Sequence, residues 1–189
     1  MAYLRRDRSA LGRNPRTINR ICGRLYEMGI DKIFERCTEP KETNRQIGPM
    51  FREWLRKKSL GVSPVDLATF VSNNKDAVLD GSDEENMNFA RKYLGYKHNK
   101  GLDLVARFNN KYVIGEAKFL TDFGGHQNAQ FNDAISTVET EGVNAVKVAI
   151  LDGVLYIKSK NKMHKLVTED YKDYNIMSAL VLRDFLYQI

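Results

Sequence analysis

Between Asn14 and Phe34 the apolar positions Ile18, Ile21, Cys22 and Leu25 recur at helical spacing, while Arg16, Arg20 and Arg24 fall on other faces. That spacing predicts an amphipathic helix, with Gly29 as its stop. The pattern fits a surface helix with an apolar stripe, and it also fits one half of a helix-turn-helix. Over residues 45–59 a second stripe, Ile47, Met50, Phe51, Trp54 and Leu55, reads as core, with Arg52, Arg56, Lys57 and Lys58 projecting elsewhere. Two further helix starts carry capping chemistry. Ser63-Pro64-Val65-Asp66 offers an N-cap followed by proline at the first helical position, and Ser82-Asp83-Glu84-Glu85 forms a capping box that gives Glu85 a structural task. The second of these helices is expected to run through Asn88, Phe89, Lys92 and Tyr93 and to stop near Gly95.

Beyond Gly101 the period changes. LDLVARF and KYVIGEAKF are rich in strand formers and flank Asn109-Asn110, two residues that tolerate positive φ, so the stretch predicts a β-hairpin with a two-residue turn. A Gly-Gly loop and a helix with Phe131, Ala134, Ile135 and Val138 as its stripe follow, ending near Gly142 before the apolar strand NAVKVAIL. Strand, crossover helix and strand imply a parallel pair. Asp152-Gly153 is expected to turn VLYIKSK back as another hairpin, and YNIMSALVLRDFLYQI to close the chain as an amphipathic helix.

Composition narrows the class. The 189 residues suit one domain, and neither a linker nor an internal repeat divides them. No apolar run spans a bilayer, and the basic start has no apolar segment behind it, so a membrane or secretory protein is not expected and the cytoplasm is the natural compartment. Two cysteines, Cys22 and Cys37, and three scattered histidines are too few for a disulfide framework or a zinc module. Residues 1–60 hold 15 Lys/Arg against 7 Asp/Glu, whereas the remainder holds 15 against 17. A basic excess confined to one third of the chain suits a polyanion, although solvated helices produce the same imbalance.

The chemistry lies in the hairpin. A two-residue turn pairs Phe108 with Lys111 and, along the same ladder, sets Asp103 opposite Glu116 on one side of the sheet. Facing Cβ atoms stand roughly 5 Å apart, and two carboxylates at about that distance repel by roughly 3 kcal/mol at an effective dielectric near 20. Lys118 shares the face, while Val105, Tyr112 and Ile114 make the rest of it bulky, so the polar groups collect at the open end. Surface charge pairs on an edge hairpin are the plainer explanation. A divalent cation between the carboxylates is the functional one, and Mg²⁺ suits such oxygens.

Asp103, a hairpin turn and Glu116-Ala117-Lys118, preceded by an acidic helix start and followed by helix and strand, resemble the PD-(D/E)XK nuclease superfamily over roughly residues 82–157. The string GEAKFLTDFGGHQNAQFNDAI is similar to the catalytic neighbourhood of small type II restriction endonucleases. The proline of the nominal motif is absent, since Gly-Leu precedes Asp103. The resemblance implies an α/β fold with a restriction-endonuclease-like core: a central mixed β-sheet flanked by helices, with a basic helical N-terminal region over residues 1–80 and a catalytic core over residues 81–189. It makes Asp103 and Glu116 ligands of Mg²⁺ with the Ala117 carbonyl as a third, assigns water positioning to Lys118, and gives a supporting role to Glu85 or Glu84. His126, Gln127, Asn128 and Gln130, at the start of the crossover helix, are candidate DNA contacts alongside Arg52 and Arg56; helix capping and loop hydrogen bonds explain the first four equally well.

The implied activity is sequence-specific, Mg²⁺-dependent hydrolysis of double-stranded DNA leaving 5′-phosphates. A homodimer and a cognate DNA methyltransferase acting on the same site are the expected partners. A structure-specific nuclease with the same residues, and a non-catalytic DNA-binding regulator, are the rivals.

Overall fold

The computed structural model describes residues 9–38, 43–157 and 161–189. The chain forms two compact units, Met1–Thr43 and Asn44–Ile189. The first contains helices α1 (Ser9–Arg13), α2 (Pro15–Met28) and α3 (Ile30–Thr38). Pro15 opens α2, where its missing N–H costs nothing, and Gly29, at φ 75°, ends it by donating its amide to Leu25 at 3.2 Å. No residue of α2 is buried, and its Cys22 is free and exposed. The side chain of Cys37 lies outside the described residues.

The second unit holds a six-stranded mixed sheet in the order β1 (Pro64–Val65), β2 (Ala77–Leu79), β3 (Leu104–Phe108), β4 (Lys111–Leu120), β5 (Val146–Gly153) and β6 (Ile176–Met177). Only β2–β3 and β3–β4 pair antiparallel. The expected α/β class and central mixed sheet are thus observed, and the sheet starts at Pro64, upstream of the boundary expected at residue 81.

Three hydrophobic clusters fix the layers. On one face Leu104, Ala106, Val113 and Ala117 pack against Phe51 and Leu55 of α4 (Thr43–Arg56) and Leu182 and Leu186 of α9 (Ala179–Leu186). On the other, Val105 and Ile114 meet Phe70 of α5 (Leu67–Ser72) and Met87 and Phe89 of α6 (Asp83–Tyr93). Farther along that face, Leu120, Ala149 and Leu151 receive Phe131, Ala134, Ile135 and Val138 of α7 (Gly125–Glu139). Of the stripe expected on α4, Phe51 and Leu55 are buried, Trp54 packs beside them, Met50 is exposed, and the side chain of Ile47 lies outside the described residues.

The hairpin has the predicted register. Phe108 pairs with Lys111 and Leu104 with Gly115, and both turn residues, Asn109 and Asn110, take positive φ. β4 and β5 are parallel across α7, as the crossover requires.

Three expectations are corrected. Pro64-Val65 is not the first turn of a helix but a short strand beside β2; the N-cap is Asp66, whose carboxylate accepts the Thr69 amide at 2.9 Å. Asp152-Gly153 does not turn a hairpin. β5 continues through both residues into a 3₁₀ turn, Val154–Tyr156, and then α8 (Lys162–Lys165) and a π-helical turn, Leu166–Asp170. The physical reason is that Asp152 serves another element: its carboxylate accepts the Ser178 hydroxyl and the Ala179 amide at the start of α9. The closing segment is correspondingly split, with Ile176–Met177 completing the sheet before α9 begins.

Candidate active site

The β3–β4 ladder ends at Leu104 and Gly115, so the Ala117 amide has no β3 carbonyl opposite it. Asp103 supplies the acceptor instead: its Oδ2 takes the Ala117 N–H at 2.8 Å. The start of α6 holds Asp103 in place. Leu102 donates its amide to the Asp83 carbonyl at 3.0 Å, and its carbonyl accepts from the Asn86 side chain at 2.9 Å. Gly101 is required here, because a Cβ would stand 2.8 Å from that of Asp83. Gly115 is equally constrained, with Val148 2.7 Å from where its Cβ would lie, which lets β5 close against β4 beside the site.

Glu116, 4% exposed, sits one position beyond the ladder, on the face that the register assigns to Asp103. Its Oε1 is bonded to the Lys118 ammonium. Its Oε2 is buried and accepts no hydrogen bond among the described residues, and the Lys100 ammonium stands 3.7 Å from it. Burial, reinforced by the charge of Asp103 and opposed by Lys118 and Lys100, pushes the Glu116 carboxyl up to about 7. Burial also raises Asp103 against the pull of the Ala117 amide and Lys118. Lys118 behaves oppositely: burial disfavours its charge, but Glu116, Asp103 and Asp133 outweigh it and hold the ammonium above the ordinary lysine range. Tyr96, buried nearby, is pushed up to about 12 by burial and by the charges of Glu116 and Asp133, so its phenol stays protonated.

The structure adds two residues that sequence patterning missed. Asp133 of α7 receives Lys118 at 3.1 Å on Oδ2 and Lys100 at 2.8 Å on Oδ1. Lys100 also donates to the Asp133 carbonyl and to Thr137 Oγ1. A signal existed: His126, Gln130, Asp133 and Thr137 recur at helical spacing as a polar stripe beside the apolar one. With all three carboxylates ionised, two ammonium groups leave the cluster of Asp103, Glu116, Asp133, Lys100 and Lys118 one negative charge in excess.

The other predicted residues separate. The carboxylate of Glu85 closes the capping box, accepting the Ser82 amide at 2.7 Å, and that bond lowers its pKa. Asp83, also on the first turn of α6, is an acid whose charge raises the pKa of Asp103. Arg52 bonds Asp83 at 2.8 Å and Arg56 bonds Asp80 at 3.0 Å, and both arginines border a recess that includes Asp103. Gln127 is buried and spends its side-chain oxygen on the Thr121 amide at 3.0 Å. His126 and Asn128 are exposed on the first turn of α7, with Gln130 3.5 Å from the His126 ring.

The family model of the Tsp45I type II restriction enzyme matches residues 1–189. The chain belongs to the Tsp45I type II restriction enzyme family. No curated protein and no solved structure matches it significantly. Membership in the Tsp45I family makes the chain a type II restriction endonuclease, a site-specific nuclease whose substrate is double-stranded DNA. The mixed sheet flanked by helices accords with a restriction-endonuclease-like fold. Among the described residues no helix is long and apolar enough to cross a membrane.

Proposed function

We propose that this Tsp45I-family enzyme cleaves DNA as a PD-(D/E)XK nuclease, with Asp103, Glu116 and the Ala117 carbonyl holding Mg²⁺ and Lys118 positioning the attacking water. The observation that carries the reading is Glu116 Oε2, a buried carboxylate oxygen without a hydrogen bond among the described residues, beside a second raised carboxylate. Natural proteins rarely bury such an atom without a use for it. The donor set fits: hard oxygens in small number, with waters completing the shell, are how Mg²⁺ is usually held. When bound, Mg²⁺ supplies positive charge against the negative charge that grows on the phosphate during attack.

The side chains divide the remaining work. The neighbouring carboxylates keep Lys118 protonated, so it acts as a donor and a charge rather than as a base. It orients a water in line with the phosphorus and stabilises the oxygens that gain charge. Water adds its oxygen to phosphorus and gives up a proton to solvent, the bond from phosphorus to the 3′-oxygen breaks, that oxygen takes up a proton from solvent, and the products are a 5′-phosphate and a 3′-hydroxyl. Arg52 and Arg56, beside the recess at Asp103, and His126, Asn128 and Gln130, on α7, are the DNA contacts of this reading. One such site cuts one strand, so double-strand cleavage calls for a homodimer. A methyltransferase protecting the same site completes a restriction-modification pair in the cytoplasm.

Unmethylated phage DNA incubated with the protein in Mg²⁺, in Ca²⁺, and with Asp103→Ala tests this directly. Discrete fragments that require both Mg²⁺ and Asp103 are expected. Binding in Ca²⁺ with no cutting in Mg²⁺ would overturn the catalytic reading.

A further inference from the structure

We infer that Asp133 is a positioning residue for Lys118: it retains the ammonium at the site when Glu116 gives its oxygens to a divalent cation. This role rests on the reading of Glu116 and Lys118 proposed above. Lys118 has two carboxylate partners, Glu116 Oε1 and Asp133 Oδ2, the latter at 3.1 Å. A cation on Glu116 competes for the first of them. A lysine has a four-carbon flexible stem, and with that partner withdrawn only a second anchor keeps its Nζ where the water must be oriented.

Asp133 is suited to be that anchor. Its helix is fixed by Phe131, Ala134 and Ile135, all buried in the sheet-facing cluster. Its other oxygen is occupied by Lys100 at 2.8 Å, and Lys100 is itself tied to the Asp133 carbonyl and to Thr137. The carboxylate is therefore held at both oxygens. Lys100 contributes a second effect, because it stands 3.7 Å from Glu116 Oε2, the oxygen without a hydrogen bond. It partly balances the charge on Glu116 without occupying that oxygen's lone pairs.

Four readouts test the role on the full-length protein: single-turnover cleavage of unmethylated phage DNA in Mg²⁺, DNA binding in Ca²⁺, thermal stability, and the NMR signal of the Lys118 ammonium in Ca²⁺. Wild type, Asp133→Asn, Asp133→Ala, Asp133→Glu, Glu116→Ala and Lys118→Ala are compared. Asp133→Asn and Asp133→Ala are expected to slow cleavage ~100-fold, the loss that a misplacement of about 1 Å produces. DNA affinity in Ca²⁺ should stay within ~threefold, under ~1 kcal/mol, and Asp133→Glu should recover cleavage to within ~tenfold of wild type by restoring the anchor. The Lys118 ammonium signal should persist in Ca²⁺-loaded wild type and disappear in Asp133→Asn. Two substitutions at one position keep the test intact if one of them does not fold.

If Glu116→Ala and Lys118→Ala still cut, the catalytic reading fails and takes this role with it. If those two are inactive while folded Asp133→Asn or Asp133→Ala cuts within ~threefold of wild type, the catalytic reading stands and the role of Asp133 is overturned.

Discussion

Arg107 and Glu116 are buried charges on the same hairpin, 2% and 4% exposed, and the register puts them on the same face of the sheet. Their treatment is opposite. Arg107 donates to the Lys75 carbonyl from Nε at 3.0 Å and from Nη2 at 2.8 Å, donates to the Phe70 carbonyl at 2.8 Å, and lies 4.7 Å from the centroid of the Phe70 ring. Glu116 keeps one oxygen without a hydrogen bond among the described residues and a pKa raised to about 7. One charge is fully occupied in tying α5 and the loop after it to β3. The other is left available midway along β4, just past the point where the ladder to β3 stops. A buried charge is thus informative through what it lacks: a satisfied one joins elements together, and an unsatisfied one beside a second carboxylate marks chemistry.

The largest effect that would break this contrast is catalytic. Replacing Asp103, Glu116 or Lys118 with alanine should lower cleavage of phage DNA by ~1000-fold or more, in the range of losing a principal electrostatic group, with the circular dichroism spectrum unchanged. Arg107→Leu should do the reverse. It strands the Lys75 and Phe70 carbonyls and should cost about 3 kcal/mol in urea unfolding, while the cleavage rate per folded molecule stays near that of wild type. Equal catalytic losses for Arg107 and Glu116 would erase the distinction.

A smaller effect sharpens it through pH. The folded-state pKa of Glu116 is raised from 4.5 to about 7, so across that interval the folded protein keeps a proton that the unfolded chain has released. Stability linked to Glu116 therefore falls as pH rises from about 4.5 to about 7 and stays low above it. At about 1.4 kcal/mol per pH unit the ionised group costs roughly 3 kcal/mol at pH 8. Glu116→Gln should accordingly raise the melting temperature at pH 8 in EDTA and leave it unchanged near pH 4. Mg²⁺ should then stabilise the wild type and not the variant. The smallest effect concerns the capping box: Glu85→Gln should lower the melting temperature slightly and keep cleavage within ~threefold, a change below ~1 kcal/mol in barrier.

The hairpin was legible because Asn109-Asn110 dictates a two-residue turn, and that turn fixes which carboxylates face each other. The capping box at Ser82 was legible because its bonds are local. What escaped was either too short or too distant. Strands of two or three residues, such as Pro64–Val65 and Ala77–Leu79, have no measurable period, and Pro64 imitates a helix start. Asp152-Gly153 imitates a hairpin turn because the competing use of Asp152, capping α9, lies 26 residues away. Asp133 and Lys100 belong to the candidate site through side chains that meet between a helix and a loop, 33 residues apart. The polar stripe of α7 puts Asp133 on one helix face, but no local pattern says that Lys100 meets it there.

Glu116 and Asp103 are predicted to share a divalent cation. A crystal structure of the enzyme bound to DNA in Ca²⁺ tests it most directly. A Ca²⁺ ion within about 2.3–2.6 Å of oxygens from both carboxylates and adjacent to a phosphate is the predicted result. A DNA complex in which Ca²⁺ lies elsewhere, and Glu116 remains bonded only to Lys118, would contradict it.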